Sequence, residues 1–285
     1  MGHGDHWQAV EQDKDNFIDT MLPLICQEGR LVGENSFCHT LQEFDKKEGV
    51  VCGIQYPVTE SPVSFLGLAV SDDSTGSKEL WTAYPICAEG PCTRLVIDEV
   101  KTWPNGIEGT VEAYMPEGDS ICFFDPYFFL NKEKYREWAE LDIALSALAY
   151  IVEKSEPDEA ETVEDPPPEL LVEQAAGISA AAESAMIASQ PDPDDCAAQY
   201  FPRGENGDSA DLEFVVEESV PVACIGRLFW RMTGVIMRAD NDVEMRIHVY
   251  ASEQVLKGYV PQPGDDVLAL AWIQGRLSAA PENVA

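Results

Sequence analysis

Two stretches of this chain repeat one pattern, and that pattern constrains the fold more than any other feature of the sequence. Residues 109–150, GTVEAYMPEGDSICFFDPYFFLNKEKYREWAELDIALSALAY, align with residues 234–273, GVIMRADNDVEMRIHVYASEQVLKGYVPQPGDDVLALAWI, across a single-residue gap. The alignment sets Gly109 on Gly234, Ile121 and Phe123 on Met245 and Ile247, and Tyr135 on Tyr259. It also sets Asp142 on Asp266, and Ile143 and Leu145 on Val267 and Ala269. We read this as an internal duplication.

Each copy predicts a strand, a turn, a strand, a single helical turn and a further strand. In the first, 110–115 alternates as a strand and Pro116-Glu117-Gly118-Asp119 supplies turn dihedrals. A second strand over 120–125 ends at Asp125-Pro126, an N-cap residue followed by a proline at the first helical position. In the second copy 239–242 is the turn, 243–250 the strand and Ser252 the cap, and Pro263-Gly264-Asp265-Asp266 turns the chain into a last strand over 267–274.

With a preceding strand at 97–103, the order is three strands, a short helix and two strands. It resembles the oligonucleotide/oligosaccharide-binding (OB) fold. The resemblance covers 97–153 and 220–278 and is one of topology. It implies an α+β, β-rich fold: two small OB-like β-barrels with an N-terminal helix, and an acidic linker plus helix between them. The organisation expected is an N-terminal helix and small β region (1–96), a first barrel unit (97–153), the linker and helix (154–219) and a second barrel unit (220–278).

Charge narrows what such barrels could bind. The chain carries a formal net charge of −34. Half of it falls in 153–218, which holds 19 acidic and 2 basic residues, while 219–278 holds 6 of each. A negative field repels phosphate backbones and anionic lipid, which argues against a polynucleotide partner. Only the neutral second unit has the residue types of a single-strand binder, cations interleaved with stacking aromatics. Its candidate binding residues are Trp230, Arg231, Arg246, His248, Tyr250 and Trp272. The same alternation is what core positions of a strand produce, and that reading is the favoured one.

Ahead of the barrels, 5–28 predicts one amphipathic helix with Trp7, Val10, Phe17, Met21, Leu22 and Ile25 on a face, Gly29 as C-cap and Pro23 as a kink or stop. Strands are expected at 49–56, 63–70 and 79–87. The acidic, proline-rich stretch 154–169 cannot bury a core and reads as a solvated linker stiffened by Pro166, Pro167 and Pro168. A helix over 170–190 carries a stripe of mostly small residues, which lets it pack on the protein or on its twin in a homodimer. Residues 190–211 read as a long loop.

Several chemistries are missing from the sequence. Neither a glycine-rich phosphate loop nor a G-x-S-x-G elbow occurs. His3 and His6 lie in a terminus expected to be mobile, and Cys38 and His39, as strand neighbours, point to opposite faces. His248 faces opposite to Ile247 and Val249. Asp125, Asp142 and Asp266 have structural explanations in caps and turns. Eight cysteines at irregular spacing read as reduced thiols, with Cys87 and Cys92 the one pair placed to close a loop. No metal site or cofactor is expected, and no catalytic residues are assigned. No run of roughly 18 apolar residues suggests a membrane span, and 1–17 lacks the regions of a secretory signal, so the expected location is the cytoplasm.

These features lead to the expectation of a non-catalytic binding or scaffolding protein that takes a protein or peptide partner. One alternative is an acidic inhibitor that mimics nucleic acid and occupies a basic groove. Another is an enzyme acting on a small molecule or sugar.

Overall fold

The computed structural model describes residues 3–40, 46–72, 78–116, 118–155, 198–204, 207–239 and 243–278. The helix expected over 170–190, almost all of the acidic stretch 154–169 and the turn residues 240–242 lie outside them.

The N-terminal helix is divided. A 3-10 segment, His3–Ala9, precedes α1, Lys14–Glu28. The Trp7 carbonyl accepts from both Val10 N and Glu11 N at 3.0 Å, which closes the first piece before α1 starts. Phe17, Met21 and Ile25 recur every four residues, so α1 buries one face. Pro23 sits inside α1 without ending it, and its missing N–H falls on the exposed side.

The next four strands form a sheet of their own: β1 (Arg30–Thr40), β2 (Lys46–Tyr56), β3 (Val63–Asp72) and β4 (Lys78–Cys87), in an antiparallel meander. β1 is foreseen only where Cys38 and His39 read as strand neighbours; its Gly, Glu, Asn and Ser residues dilute the alternation that marks the other three.

The remaining strands form the barrel body. They are β5 (Cys92–Thr102), β6 (Gly109–Tyr114), β7 (Ser120–Phe124), β8 (Glu140–Lys154), β9 (Gln199–Arg203), β10 (Ser209–Val215), β11 (Glu218–Cys224), β12 (Arg227–Arg238), β13 (Glu244–Ser252) and β14 (Asp266–Leu277). The helical turns α2 (Phe128–Asn131) and α3 (Glu253–Leu256) follow β7 and β13. Ser252 caps α3, its hydroxyl accepting from Val255 N. β9 and β10 correct the long-loop expectation for the described part of 190–211. β10 alternates between buried and half-buried residues, a pattern that the acidic, Pro-rich surroundings masked, whereas β9 is a short strand with no such alternation.

A closed five-strand barrel runs β5–β6–β7–β14–β8 and back to β5. The strand that closes it, β14, comes from the C-terminal segment and lies parallel to β7. On the other side of the β8–β14 pair, β8 runs parallel to β13, β13 pairs with β12 and β12 with β11, while β14 pairs with β10. β10 and β11 are one bent run. Val216 N donates to the Asp265 carbonyl and Glu217 N to the Thr233 carbonyl, so the chain leaves the β14 side there and joins β12. The antiparallel pair β8–β14 is therefore common to both sides of the body.

Two apolar cores result. One fills the barrel body, with Ile97, Phe123, Leu145, Phe214, Met232, Ile247 and Ile273 all fully buried. Gly275 lets β14 pass the Phe123 ring, which a β-carbon there would strike. The other core lies between the N-terminal sheet and the outer face of the body, where Trp7, Phe65 and Tyr84 meet Phe124, Leu148 and Trp272. At about 25 cal/mol per Å² of apolar surface, burial of such aromatic side chains is what holds the two layers together.

The expectation of a mobile terminus is overturned for His3 and His6. His3 Nε2 donates to Glu108 Oε1 at 2.6 Å with both side chains buried. His6 stacks on Trp272 at 3.8 Å between ring centroids and hydrogen-bonds the Tyr150 hydroxyl. A ring of aromatic side chains, not sequence-local structure, fixes the terminus.

Candidate binding groove

A groove of about 910 Å³ lies where the start of β1 approaches α2 and the ends of β8 and β14. Its walls have several origins. Arg30, Leu31 and Val32 open β1, Gln55 comes from β2, and Tyr127, Leu130 and Asn131 come from α2 and its approach. Glu89 and Gly90 belong to the β4–β5 connection, Cys92 opens β5, His248 belongs to β13, and Arg276 and Leu277 to the end of β14. Along β14 the outward face runs Trp272, Gln274, Arg276, in steps of two. Trp272 and Gln274 are buried under the N-terminal sheet, where Gln274 Oε1 accepts from Cys87 N and Gln274 Nε2 donates to the Pro85 carbonyl. Arg276, two residues on, emerges where that sheet stops, and so reaches the groove.

The floor is held by Asp125. Its Oδ1 accepts from Tyr127 N at 2.8 Å, and its Oδ2 accepts from Asn131 Nδ2 at 2.9 Å and from the Tyr135 hydroxyl at 2.8 Å. Burial pushes the Asp125 carboxyl up to about 6, against the pull of these hydrogen bonds. Asn131 Oδ1 also accepts from Lys134 Nζ at 3.2 Å. Asn35 Nδ2 donates to the Phe129 carbonyl, which ties β1 to α2. Burial raises the Tyr127 hydroxyl, while Arg276 and, more weakly, Arg30 act to lower it. His248 is held below its usual range by burial first and by Arg231 second, and its Nδ1 is buried without a hydrogen-bond partner.

The six residues singled out in the second unit do not gather at one place. Tyr250 and Trp272 are fully buried. Trp272 Nε1 donates to Asp208 Oδ2 at 2.9 Å. Trp230 packs partly buried against the inner core. Arg231 pairs with Glu218 at 2.9 Å and with Glu89 at 3.5 Å. Arg246 pairs with Glu217 at 3.0 Å and also with Glu244. His248 alone reaches the groove, and as expected it faces opposite to the buried Ile247 and Val249.

The residues missed in the sequence are Arg30, Tyr127, Asn131 and Arg276. Arg276 continues a period-two face that begins in the core, a signal that was legible, whereas Arg30 follows a helix C-cap and had no local pattern to mark it.

Cys87 and Cys92 are free thiols, buried and exposed respectively. Among the described residues no cluster of three or more side chains could hold a metal ion, and no helix is long and apolar enough to cross a membrane. No family model, curated protein or solved structure matches the chain, so the reading of the groove rests on its own geometry.

Proposed function

We propose that this chain is a non-catalytic binding or scaffolding protein that takes a segment of a protein or peptide partner in the groove between the N-terminal sheet and the barrel body. The observation that carries the reading is the lining. Leu31, which is 59 % exposed, follows Arg30 in β1, and Arg276 lines the same groove. An open groove with apolar side chains and cations along its walls matches a peptide interface, in which apolar contact supplies affinity and polar groups set register. Buried and capped Asp125 fixes the floor before any ligand arrives, which lowers the ordering cost of binding. A cytoplasmic setting is part of the proposal and is supported by the free thiols of Cys87 and Cys92.

Selection of a random peptide library on the immobilised full chain tests the reading. Enriched peptides should lose binding to a Leu31→Asp variant of unchanged thermal stability. Enrichment of peptides that bind Leu31→Asp as well as the parent would sink it.

A further inference from the structure

The arginines of the described residues divide into two groups. Arg94 pairs with Asp142 and Glu140, Arg203 with Asp211, Arg227 with Glu11, Arg231 with Glu89 and Glu218, Arg238 with Glu244, and Arg246 with Glu217. Among the described residues Arg30, Arg136 and Arg276 have no ion-pair partner, and Arg30 and Arg276 line the groove. In a chain with 52 acidic and 18 Lys and Arg residues, a neighbouring carboxylate is the ordinary fate of an arginine. The one carboxylate on the groove wall, Glu89, is turned to Arg231.

Resting on the groove reading above, we infer that Arg30 and Arg276 form a two-pronged receptor for carboxylates on an acidic, apolar peptide segment. Arg30 at the start of β1 and Arg276 near the end of β14 line the same groove, beside Tyr127, and the charge of each favours the ionised form of the Tyr127 hydroxyl. Planar guanidinium groups match carboxylates in bidentate geometry, and they are always charged. Leu31, Leu130 and Leu277 give the intervening apolar side chains of the segment a surface to lie on. The negative charge of the whole molecule does not forbid this. Beyond about 8 Å physiological salt screens exposed charges, so the two local cations decide the potential in the groove.

Fluorescence anisotropy with the full chain at about 0.15 M salt tests the inference with two labelled, N-acetylated peptides: Glu-Leu-Asp-Leu-Glu and its amide counterpart Gln-Leu-Asn-Leu-Gln. The acidic peptide should bind at least about tenfold more tightly, a difference of ~1.4 kcal/mol. Arg30→Gln and Arg276→Gln should each weaken it several-fold and together remove it, while Arg136→Gln, outside the groove, should not. Because Arg30 and Arg276 hold no ion pair among the described residues, the variants are expected to keep the parent's melting temperature, which is measured alongside. Failure of the acidic peptide to bind, equal binding of the two peptides, or indifference to both arginine substitutions overturns the receptor. So does displacement of the acidic peptide by inorganic phosphate at equal concentration, which would make the pair a phosphate site. If both peptides bind equally and Leu31→Asp releases both, the groove reading survives without the carboxylate receptor. If no groove substitution changes the binding of either peptide, both fall.

Discussion

Leu148 of β8 and Trp272 of β14 face each other across the antiparallel ladder, and the alignment that sets Asp142 on Asp266 also sets Leu148 on Trp272. Equivalent positions of the two similar stretches are thus cross-strand partners, which places a local twofold axis through that pair. Both side chains are fully buried against the N-terminal sheet. The shared strands therefore carry three sets of neighbours: the closed barrel on one side, β10 and β13 on the other, and the layer on top.

Trp272→Ala should lower stability by about 3–5 kcal/mol, the range for truncating a large core aromatic. Because β14 pairs with β7, β8 and β10, the loss should appear as one shifted transition. Urea unfolding followed by tryptophan fluorescence and far-ultraviolet circular dichroism checks this. Two separated transitions, only one of them moved, would contradict the shared-pair description.

Two buried groups should give opposite pH signatures. Burial raises Asp125 to about 6, so the folded state holds a proton the unfolded chain releases; its stabilisation is full below pH about 4 and is lost as pH rises through about 6. Burial, with a smaller effect of His3, lowers His6 to about 3. Its stabilisation is present above pH about 6.5 and is lost as pH falls toward about 3. Unfolding free energy measured from pH 3 to 8 should therefore flatten on the acid side in His6→Phe. In Asp125→Asn the decline between pH 4 and 6 should shrink, with lower stability throughout, because a donor replaces an acceptor beside Asn131 and Tyr135.

Thiol labelling should divide the described cysteines by burial. Cys87, Cys122 and Cys224 are pushed up to about 12, 12 and 11, chiefly by burial, whereas Cys26 and Cys92 are exposed. Maleimide labelling of the native chain, read by peptide mapping, should modify Cys26 and Cys92 quickly and the buried three only on unfolding. A ligand in the groove should slow Cys92, which lines it, and leave Cys26 unchanged.

Gly275→Val should destabilise by roughly 1–3 kcal/mol through overpacking against Phe123. Phe123→Leu in the same chain should recover part of the loss, as a double-mutant cycle of melting temperatures would record. Additive losses would mean that the two residues do not meet.

Much of the body was legible because its signals are local. The apolar runs in 120–124 and 266–277, the Ser252 cap and the Pro-Gly turns act within a few residues of themselves. The assignment of β14 to the ring of β5, β6 and β7 was not legible, because the parallel contact with β7 rests on one register pair, Gln274 with Phe124, and leaves no periodicity behind. β9 was hidden for a related reason: Gln199–Arg203 contains a proline and is exposed over most of its length, as an edge strand permits. At the groove the difficulty was one of direction. Arg231 and Arg246 look like free cations in the sequence and are consumed by Glu218, Glu89 and Glu217, while Arg30 and Arg276 gain significance only from having no such neighbour.

The ring that begins at β5 is closed by β14, a strand that follows it by more than a hundred positions. During synthesis, β5 to β8 must leave the ribosome with the site beside β7 and β8 still vacant, and stay so until β14 emerges. Barrel closure is then a late event in the life of each molecule. The exposed margins of the half-built barrel are the surfaces that a chaperone, or a neighbouring nascent chain, would meet first.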